Sequence, residues 1–429
     1  MKWLRRLALW VVVLMVLLLV WLFFGGRHQP TSPAMSKFAA STLRDPALIA
    51  KGEYLVTVGD CAGCHTAQGG AALAGGRALA TPFGDIPVPN ITPDPETGLG
   101  NWSFEDFWQA LHAGRGRHGE LFYPAFPYTS YTKVNRDDAL AMFAYLKSLP
   151  PIRQAATASS LAFPYSIRRS LLGWRALYFK EGVFKPDPKR SPQWNRGAYL
   201  VQGPAHCNEC HAARDSLGGT PQNEHLSGGQ IPMQNWYAPD LSMQSNGGLQ
   251  GWSEQDVVDL LQTGLSAKGA AFGPMADVVV GSTQHISRDD LQAMATYLAS
   301  LPPRAAAAEQ KSAPVAAAVI EQGEKVYSQH CAACHRKDGS GVAGVYPPLD
   351  GNSSVTEPSG MNATRMVLLG GFTPLTAANP RPYSMPPFAQ QLSDSEVSAV
   401  VSYIRRAWTN HAGVVRPEDV SRYRHTPID

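Results

Sequence analysis

The chain of 429 residues has six cysteines, and all six fall in three short stretches, which leaves no thiol for any other role. No Gly-x-Gly-x-x-Gly follows a strand pattern, no Gly-x-x-x-x-Gly-Lys-Ser/Thr occurs, and His-Glu-x-x-His is missing. These absences exclude the dinucleotide fingerprint, the P-loop and the helical zinc-protease motif. Charge of one sign is also scarce: the net +3 is too small to argue for a nucleic-acid partner or any strongly acidic one. Glycine (39) and proline (34) are abundant instead, above average shares of roughly 7% and 5%. Such a chain wraps a guest in loops more readily than it builds a long sheet.

The thiols stand in three copies of one pattern: Cys61-Ala62-Gly63-Cys64-His65, Cys207-Asn208-Glu209-Cys210-His211 and Cys331-Ala332-Ala333-Cys334-His335. Two thiols separated by two residues can add to the two vinyl groups of one haem, and the adjoining histidine then reaches the iron. Random placement at this composition gives on the order of 0.002 copies. A thioredoxin-like redox pair would not need the histidine three times, and half a zinc site would want a second Cys or His pair close by. Three covalent haems c are expected, with the six cysteines as attachment points and His65, His211 and His335 as iron ligands.

Lys2, Arg5 and Arg6 precede Leu7 to Phe24, an uncharged apolar run of eighteen residues. As a helix it would reach about 27 Å, near the roughly 30 Å of bilayer hydrocarbon. The charges before it place the N-terminus in the cytoplasm and the rest outside. A cleaved signal peptide is the alternative, although its apolar region would be about 7 to 15 residues and a small-x-small site is not obvious. Either way the domains are exported to an oxidising compartment, with an uncleaved anchor at 1–30 as the expectation.

The rest reads as one helical unit repeated. Each copy opens on Gly52-Glu53-Tyr54-Leu55-Val56, Gly197-Ala198-Tyr199-Leu200-Val201 or Gly323-Glu324-Lys325-Val326-Tyr327, the glycine 9, 10 and 8 residues before its first cysteine. Each closes with a helix of three-and-four periodicity, Asp137 to Leu149, Asp289 to Leu301 and Asp394 to Trp408, with acids favouring its start. Pro150-Pro151 and Pro302-Pro303 stop the first two. Ser103 and Ser253 are expected to cap a further helix in the first two copies. The acidic pairs Asp137-Asp138 and Asp289-Asp290 read as helix starts, not as acid/base groups, and no catalytic constellation is visible. Domains are expected at 48–152, 191–304 and 319–410, with a connector at 153–190, a linker at 305–318 and a polar tail at 411–429. In the connector Trp174, Tyr178 and Phe179 are apolar enough to pack on a domain or a partner.

A methionine thioether commonly fills the sixth position of an electron-transfer haem. The Pro-rich loops before the last helix offer Met275 in Phe272-Gly273-Pro274-Met275 and Met385 in Tyr383-Ser384-Met385-Pro386-Pro387, with Met361 and Met366 as weaker candidates. Copy one puts Phe126 in that slot, in Tyr123-Pro124-Ala125-Phe126-Pro127-Tyr128, and phenylalanine cannot bind iron. Met142 aligns with Met294 and Val400 in the buried stripe of the closing helix, so it reads as core. A histidine such as His112 or His118, another side chain, or a five-coordinate iron remain for haem one.

With those residues in view, the span from Ala50 to Trp408 resembles the three-haem cytochrome c subunits of membrane-bound periplasmic dehydrogenases, those of alcohol and gluconate dehydrogenases among them. The resemblance rests on the Gly-x-Tyr-Leu-Val openings, the Trp-Ser-x-x-Asp helix starts, the Leu-Pro-Pro ends, the Gly-Pro-Met loop and the Met-Pro-Pro loop. It implies a mainly α chain of three tandem class I cytochrome c domains after one N-terminal transmembrane helix. It also implies an electron-transfer subunit on the periplasmic side of the inner membrane, fed by a catalytic dehydrogenase of the molybdenum, quinoprotein or flavoprotein type, with ubiquinone as acceptor. The family usually has Met where this chain has Phe126, and the Phe form resembles cytochromes that accompany molybdenum-containing aldehyde or nicotinate-type dehydrogenases. A haem enzyme with an open first iron, peroxidase-like, and a cytochrome subunit of a terminal oxidase are the rival readings.

Overall fold

A serine followed three residues later by a carboxylate can satisfy two of the orphan N–H groups at a helix start, and among the described residues this chain uses that pairing three times. Ser103 with Asp106, Ser253 with Asp256 and Ser393 with Glu396 each close a reciprocal capping box. The first two are the caps expected from sequence. The computed structural model describes residues 3–7, 9–10, 12–13, 41–221, 224–244, 248–303 and 316–425. Among these the chain is mainly α, its strands being antiparallel pairs of two or three residues. It divides into two compact units, one of Met1–Val56, Cys64–Lys185 and Ser216–Gly219, the other of Thr57–Gly63, Pro186–Asp215 and Thr220–Asp429.

The first unit runs through α1 (Pro46–Val58, its last two residues in the other unit), the end of α2 (Cys61–His65), the hairpin β1 (Ala78–Leu79) and β2 (Ile86–Pro87), α3 (Phe104–Ala113), α4 (Tyr128–Tyr131) and α5 (Arg136–Ser148). Helix α1 crosses α5 at Gly52, where a methyl group would fall 1.9 Å from the Ala141 carbonyl oxygen. Only glycine lets the backbones approach so closely. One residue earlier, Lys51 Nζ sits 2.5 Å from Asp138 in the first turn of α5. The buried stripe of α5 includes Leu140, Met142 and Phe143, with Phe107 5.3 Å and Phe104 6.0 Å from Phe143.

The connector contributes α6 (Leu171–Tyr178). Tyr128 is fully buried, with Phe179 edge-on at 5.0 Å, Trp174 at 6.3 Å and the Arg175 guanidinium 5.1 Å above its ring. Two of the three connector aromatics singled out from sequence therefore pack on the first unit itself.

The second unit holds α7 (Pro192–Gln202), a 3-10 turn at Cys207–Glu209, β3 (Gly229–Ile231) paired with β4 (Trp236–Ala238), α8 (Glu254–Thr263), the short hairpin β5 (Leu265–Ser266) and β6 (Gly269–Ala270), α9 (Pro274–Gly281) and α10 (Arg288–Ala299). It continues with α11 (Ala317–His330), α12 (Ala332–His335), α13 (Ser353–Thr356), α14 (Met361–Leu369), β7 (Gly371–Phe372) paired with β8 (Ser384–Met385), α15 (Asp394–Ile404) and α16 (Pro417–Arg424). The close crossing recurs: a methyl on Gly197 would meet the Ala293 oxygen at 1.8 Å and one on Gly323 the Ala399 oxygen at 2.2 Å. Arg196, just before Gly197, grips Asp290 with two hydrogen bonds of 2.7 Å.

Inside this unit the Asn362 side chain, at the start of α14, pairs with the Tyr237 backbone like a neighbouring strand. It accepts from the N–H at 2.9 Å and donates to the carbonyl at 2.8 Å. The Arg365 guanidinium lies 4.7 Å from the Trp236 ring on the same seam.

Two expectations change. The polar tail at 411–429 contains α16, and Val415, Val420 and Tyr423 are buried in the core around α15. Arg424 bonds Asp394 at 2.7 Å and the Ala389 and Leu392 carbonyls. Three apolar residues among charges were enough to fold it. The third copy also has its middle helix, α14, without the Trp-Ser signature, starting after the left-handed Gly360. Most of the expected membrane run Leu7–Phe24, and linker residues 305–315, lie outside the described residues. Among those described, no helix is long and apolar enough to cross a membrane.

Candidate haem attachment sites

An imidazole binds iron through a nitrogen lone pair, so its other nitrogen must hold the proton and something must accept it. His65 Nδ1 lies 2.7 Å from the Pro89 carbonyl, His211 Nδ1 2.7 Å from that of Pro239, and His335 Nδ1 3.0 Å from that of Pro347. A carbonyl can only accept. Each ring therefore carries its proton on Nδ1 and presents the Nε2 lone pair. Burial holds all three histidines below the ordinary range, with the proline contact pulling the other way, so they are neutral at pH 7.

A second clamp holds each histidine by its backbone. The carbonyls of His65, His211 and His335 accept from the N–H of Gly75 (2.7 Å), Gly228 (3.0 Å) and Gly341 (3.1 Å). All three glycines have left-handed φ, at 74°, 77° and 66°. A methyl there would strike the chain around the proline acceptor, 2.6 Å from the Pro89 carbonyl carbon, 2.6 Å from the Asp240 nitrogen and 2.3 Å from the Tyr346 oxygen. The acceptor segments are tied down in turn: Asn90 Nδ2 donates to the Ile152 carbonyl at 2.6 Å, and Ser242 Oγ to that of Pro302 at 3.0 Å.

None of the six thiols is in a disulfide. Burial pushes Cys207 and Cys331 up to about 12, so both are neutral thiols at physiological pH. Among the described residues no group of three or more His, Cys, Asp and Glu side chains is arranged to hold a metal ion. Paired thiols beside a neutral imidazole with Nε2 to offer form the donor set of a c-type haem, and the residues fit that group. Asp60, directly before Cys61, is pushed up to about 6 by burial, and by Asp277 in addition, against the opposing pull of His206 and the Gly63 N–H.

The sixth-ligand candidates separate. Met275 stands in the first turn of α9, so the expected loop is a helix start at that point, and its side chain is half-buried. Met385 is half-buried in β8, opposite Gly371, and packs beside the core around α15. Met361 belongs to that core, whereas Met366 is half-buried and approaches Gly371. Met142 and Met294 are buried in α5 and α10, and Val400 in α15, as their alignment required. Phe126 lies in an aromatic group, 5.7 Å from Phe122 and 5.4 Å from Tyr131. Of the histidines, His112 has both nitrogens engaged, Nδ1 with the Thr132 carbonyl at 3.1 Å and Nε2 with Glu181 at 3.4 Å, and is stacked on Trp108. His118 is exposed.

Sequence reasoning missed the proline acceptors and the left-handed glycines. The prolines had a faint signal, a Pro-x-Ile/Leu step at Pro89-Asn90-Ile91, Pro239-Asp240-Leu241 and Pro347-Pro348-Leu349. The glycines follow their histidines by 10, 17 and 6 residues, a spacing without a period.

The chain belongs to the cytochrome c family, whose model matches residues 49–150, 195–302 and 320–408. Among its relatives is the cytochrome c subunit of alcohol dehydrogenase (quinone) from Gluconobacter oxydans, 40% identical over 398 residues, covering 89% of this chain and 83% of that one. The gluconate 2-dehydrogenase cytochrome c subunit of Pantoea cypripedii is 38% identical over 395 residues, 88% of this chain and 90% of its own. A subunit of the nicotinate dehydrogenase of Pseudomonas putida is 41% identical over 381 residues, 87% of this chain but 31% of that longer protein.

Proposed function

We propose that this chain is a three-haem cytochrome c that takes electrons from the catalytic subunit of a dehydrogenase and delivers them to ubiquinone. Its haem domains lie at 48–152, 191–304 and 319–410, the third extended by α16, on the periplasmic side of the inner membrane behind the apolar run Leu7–Phe24. The observation that carries the reading is the histidine clamp, repeated at His65, His211 and His335 with a proline carbonyl each time. Cys61 and Cys64, Cys207 and Cys210, Cys331 and Cys334 would hold the groups covalently, and Met275 and Met385 would complete two of the irons. A haem bound there supplies a one-electron iron couple. The chain's own residues fix the imidazoles and keep them neutral. Substrate oxidation belongs to the partner. The alcohol, gluconate and nicotinate dehydrogenase relatives support a dehydrogenase partner.

The test is the full chain made in a host that matures c-type cytochromes. Three haem additions by intact mass, copurification with a dehydrogenase subunit from membranes, and reduction by that subunit's substrate are expected. Fewer than three additions, or purification with an oxidase and no dehydrogenase, overturns the reading.

Phe126 favours a second reading for the first site, because the slot that holds methionine in the other copies carries a ring without a donor atom. An open iron there would bind small ligands. Carbon monoxide binding to one reduced haem in three, with peroxide turnover in the absence of a partner, would establish an enzyme in place of a carrier.

A further inference from the structure

The connector leaves an apolar surface uncovered on the first unit. Phe163 is 81% exposed, Leu177 65%, Leu217 50%, Ile167 48% and Tyr165 42%. Contacts at Tyr165 and Leu217, and at Gly218 and Tyr178 beside them in sequence, link the stretches that carry these residues. The Tyr165 ring lies 4.4 Å from that of Phe83, a methyl on Gly218 would come within 3.3 Å of Phe83, and Trp174 Nε1 donates to the Leu217 carbonyl at 3.1 Å. Trp174 in turn packs on Tyr178, the neighbour of Leu177, at 5.0 Å. Water-soluble surfaces seldom keep large side chains together at this exposure.

The charge on the same stretch is one-sided. Between Leu161 and Lys185 five cations stand against one acid, a net +4 in a chain whose total is +3. The acid, Glu181, faces His112 at 3.4 Å. Arg169, Lys180 and Lys185 are exposed, two to three residues from Ile167, Leu177 and Val183 in the chain. Exposed aromatic and aliphatic side chains ringed by lysine and arginine suit the headgroup layer of an anionic bilayer, where apolar groups enter the acyl boundary and each cation near the surface adds attraction. Chain length points the same way. Thr42, where the first unit's helices begin, stands eighteen residues after Phe24, the end of the apolar run. A stretch of that length reaches at most about 60 Å, so the first unit stays within that distance of whatever the run is inserted in.

We infer that the connector face of Phe163, Tyr165, Ile167, Leu177 and Leu217, with Arg169, Lys180 and Lys185 around it, rests on the anionic phospholipid surface as a second, peripheral membrane contact. The inference deepens the membrane reading above and rests on it. The first unit is then laid on the bilayer by this face, beyond being tied to it through the chain that precedes Thr42.

Hydrogen–deuterium exchange on the haem-loaded full chain tests this without the dehydrogenase subunit. The chain is reconstituted into phosphatidylglycerol vesicles, into phosphatidylcholine vesicles, and into detergent. Amides of residues 161–183 should exchange at least tenfold more slowly in phosphatidylglycerol than in detergent, with little slowing in phosphatidylcholine. The combined variant Phe163→Ser, Leu177→Ser, Arg169→Glu, Lys180→Glu should lose that protection while keeping the wild-type haem spectrum and remaining with the vesicles. Equal exchange in all three media while the chain stays vesicle-bound overturns the inference alone. Protection that appears only when the dehydrogenase subunit is added assigns the face to that protein instead. A full chain that does not associate with vesicles at all removes the membrane reading and the inference together.

Discussion

The rings of Phe126 and Tyr131 lie 5.4 Å apart, and Phe126 stands at the sequence position before the closing helix where the second and third copies carry Met275 and Met385. An aromatic pair at this distance contributes packing and no electron pair for iron. The first site therefore differs from its siblings at that position while sharing their histidine clamp.

Methionine ligation is checked by substitution. Met275→Ala and Met385→Ala should each remove one thioether-to-iron absorption band near the red edge of the oxidised spectrum. Phe126→Met should add one, because its slot is half-buried and phenylalanine and methionine are close in volume. Bands that survive both alanine variants would show the ligands to be placed wrongly.

The glycine crossings predict a steric cost. Gly197→Ala puts a methyl 1.8 Å from the Ala293 oxygen and Gly323→Ala one 2.2 Å from that of Ala399. Overpacking of this kind costs about 1–3 kcal/mol, and more where backbone must move. Denaturant unfolding of the haem-loaded protein should show it. By contrast Gly69→Ala, at a left-handed turn with nothing near the added methyl, should cost only about 1 kcal/mol of backbone strain.

Asp60 predicts a pH dependence. Its carboxyl is pushed up to about 6 from 3.8, so the native state holds the proton more tightly than the unfolded chain. The benefit is full below about 3.8 and is lost as pH rises through about 6. Asp60→Asn should therefore gain stability relative to wild type across that window, and the difference between their melting temperatures should be flat below it. A difference that shrinks with rising pH would contradict the buried carboxyl.

The capping boxes make a smaller prediction. Ser393→Ala removes the acceptor for the Glu396 N–H at the start of α15, and such losses cost about 1 kcal/mol. Ser393→Asp should restore most of it.

Much of this was readable in the chain because local chemistry decided it. Ser103 and Ser253 announce their helices since the cap and its carboxylate sit three residues apart, and the stripe Met142, Met294 and Val400 is buried because helical periodicity leaves it no other face. What stayed hidden was decided by residues far apart in sequence. Gly52, Gly197 and Gly323 were visible as a repeated position, but only their partners Ala141, Ala293 and Ala399 explain why glycine stands there. The proline acceptors lie 24, 28 and 12 residues from their histidines, and loops of unequal length erase any period. Val420 and Tyr423 looked like members of a polar tail because the charged face of α16 outnumbers the two side chains it buries.

The crossing of opening and closing helices has an architectural result. Where the second copy's opening helix is pressed onto its closing helix at Gly197 and Ala293, and Trp194 Nε1 donates to Ser300 Oγ at 2.6 Å, the strand of polypeptide enters and leaves at neighbouring points. A duplicated gene segment can then be spliced in tandem without unthreading what precedes it, so a longer chain of such domains is reached simply by adding beads.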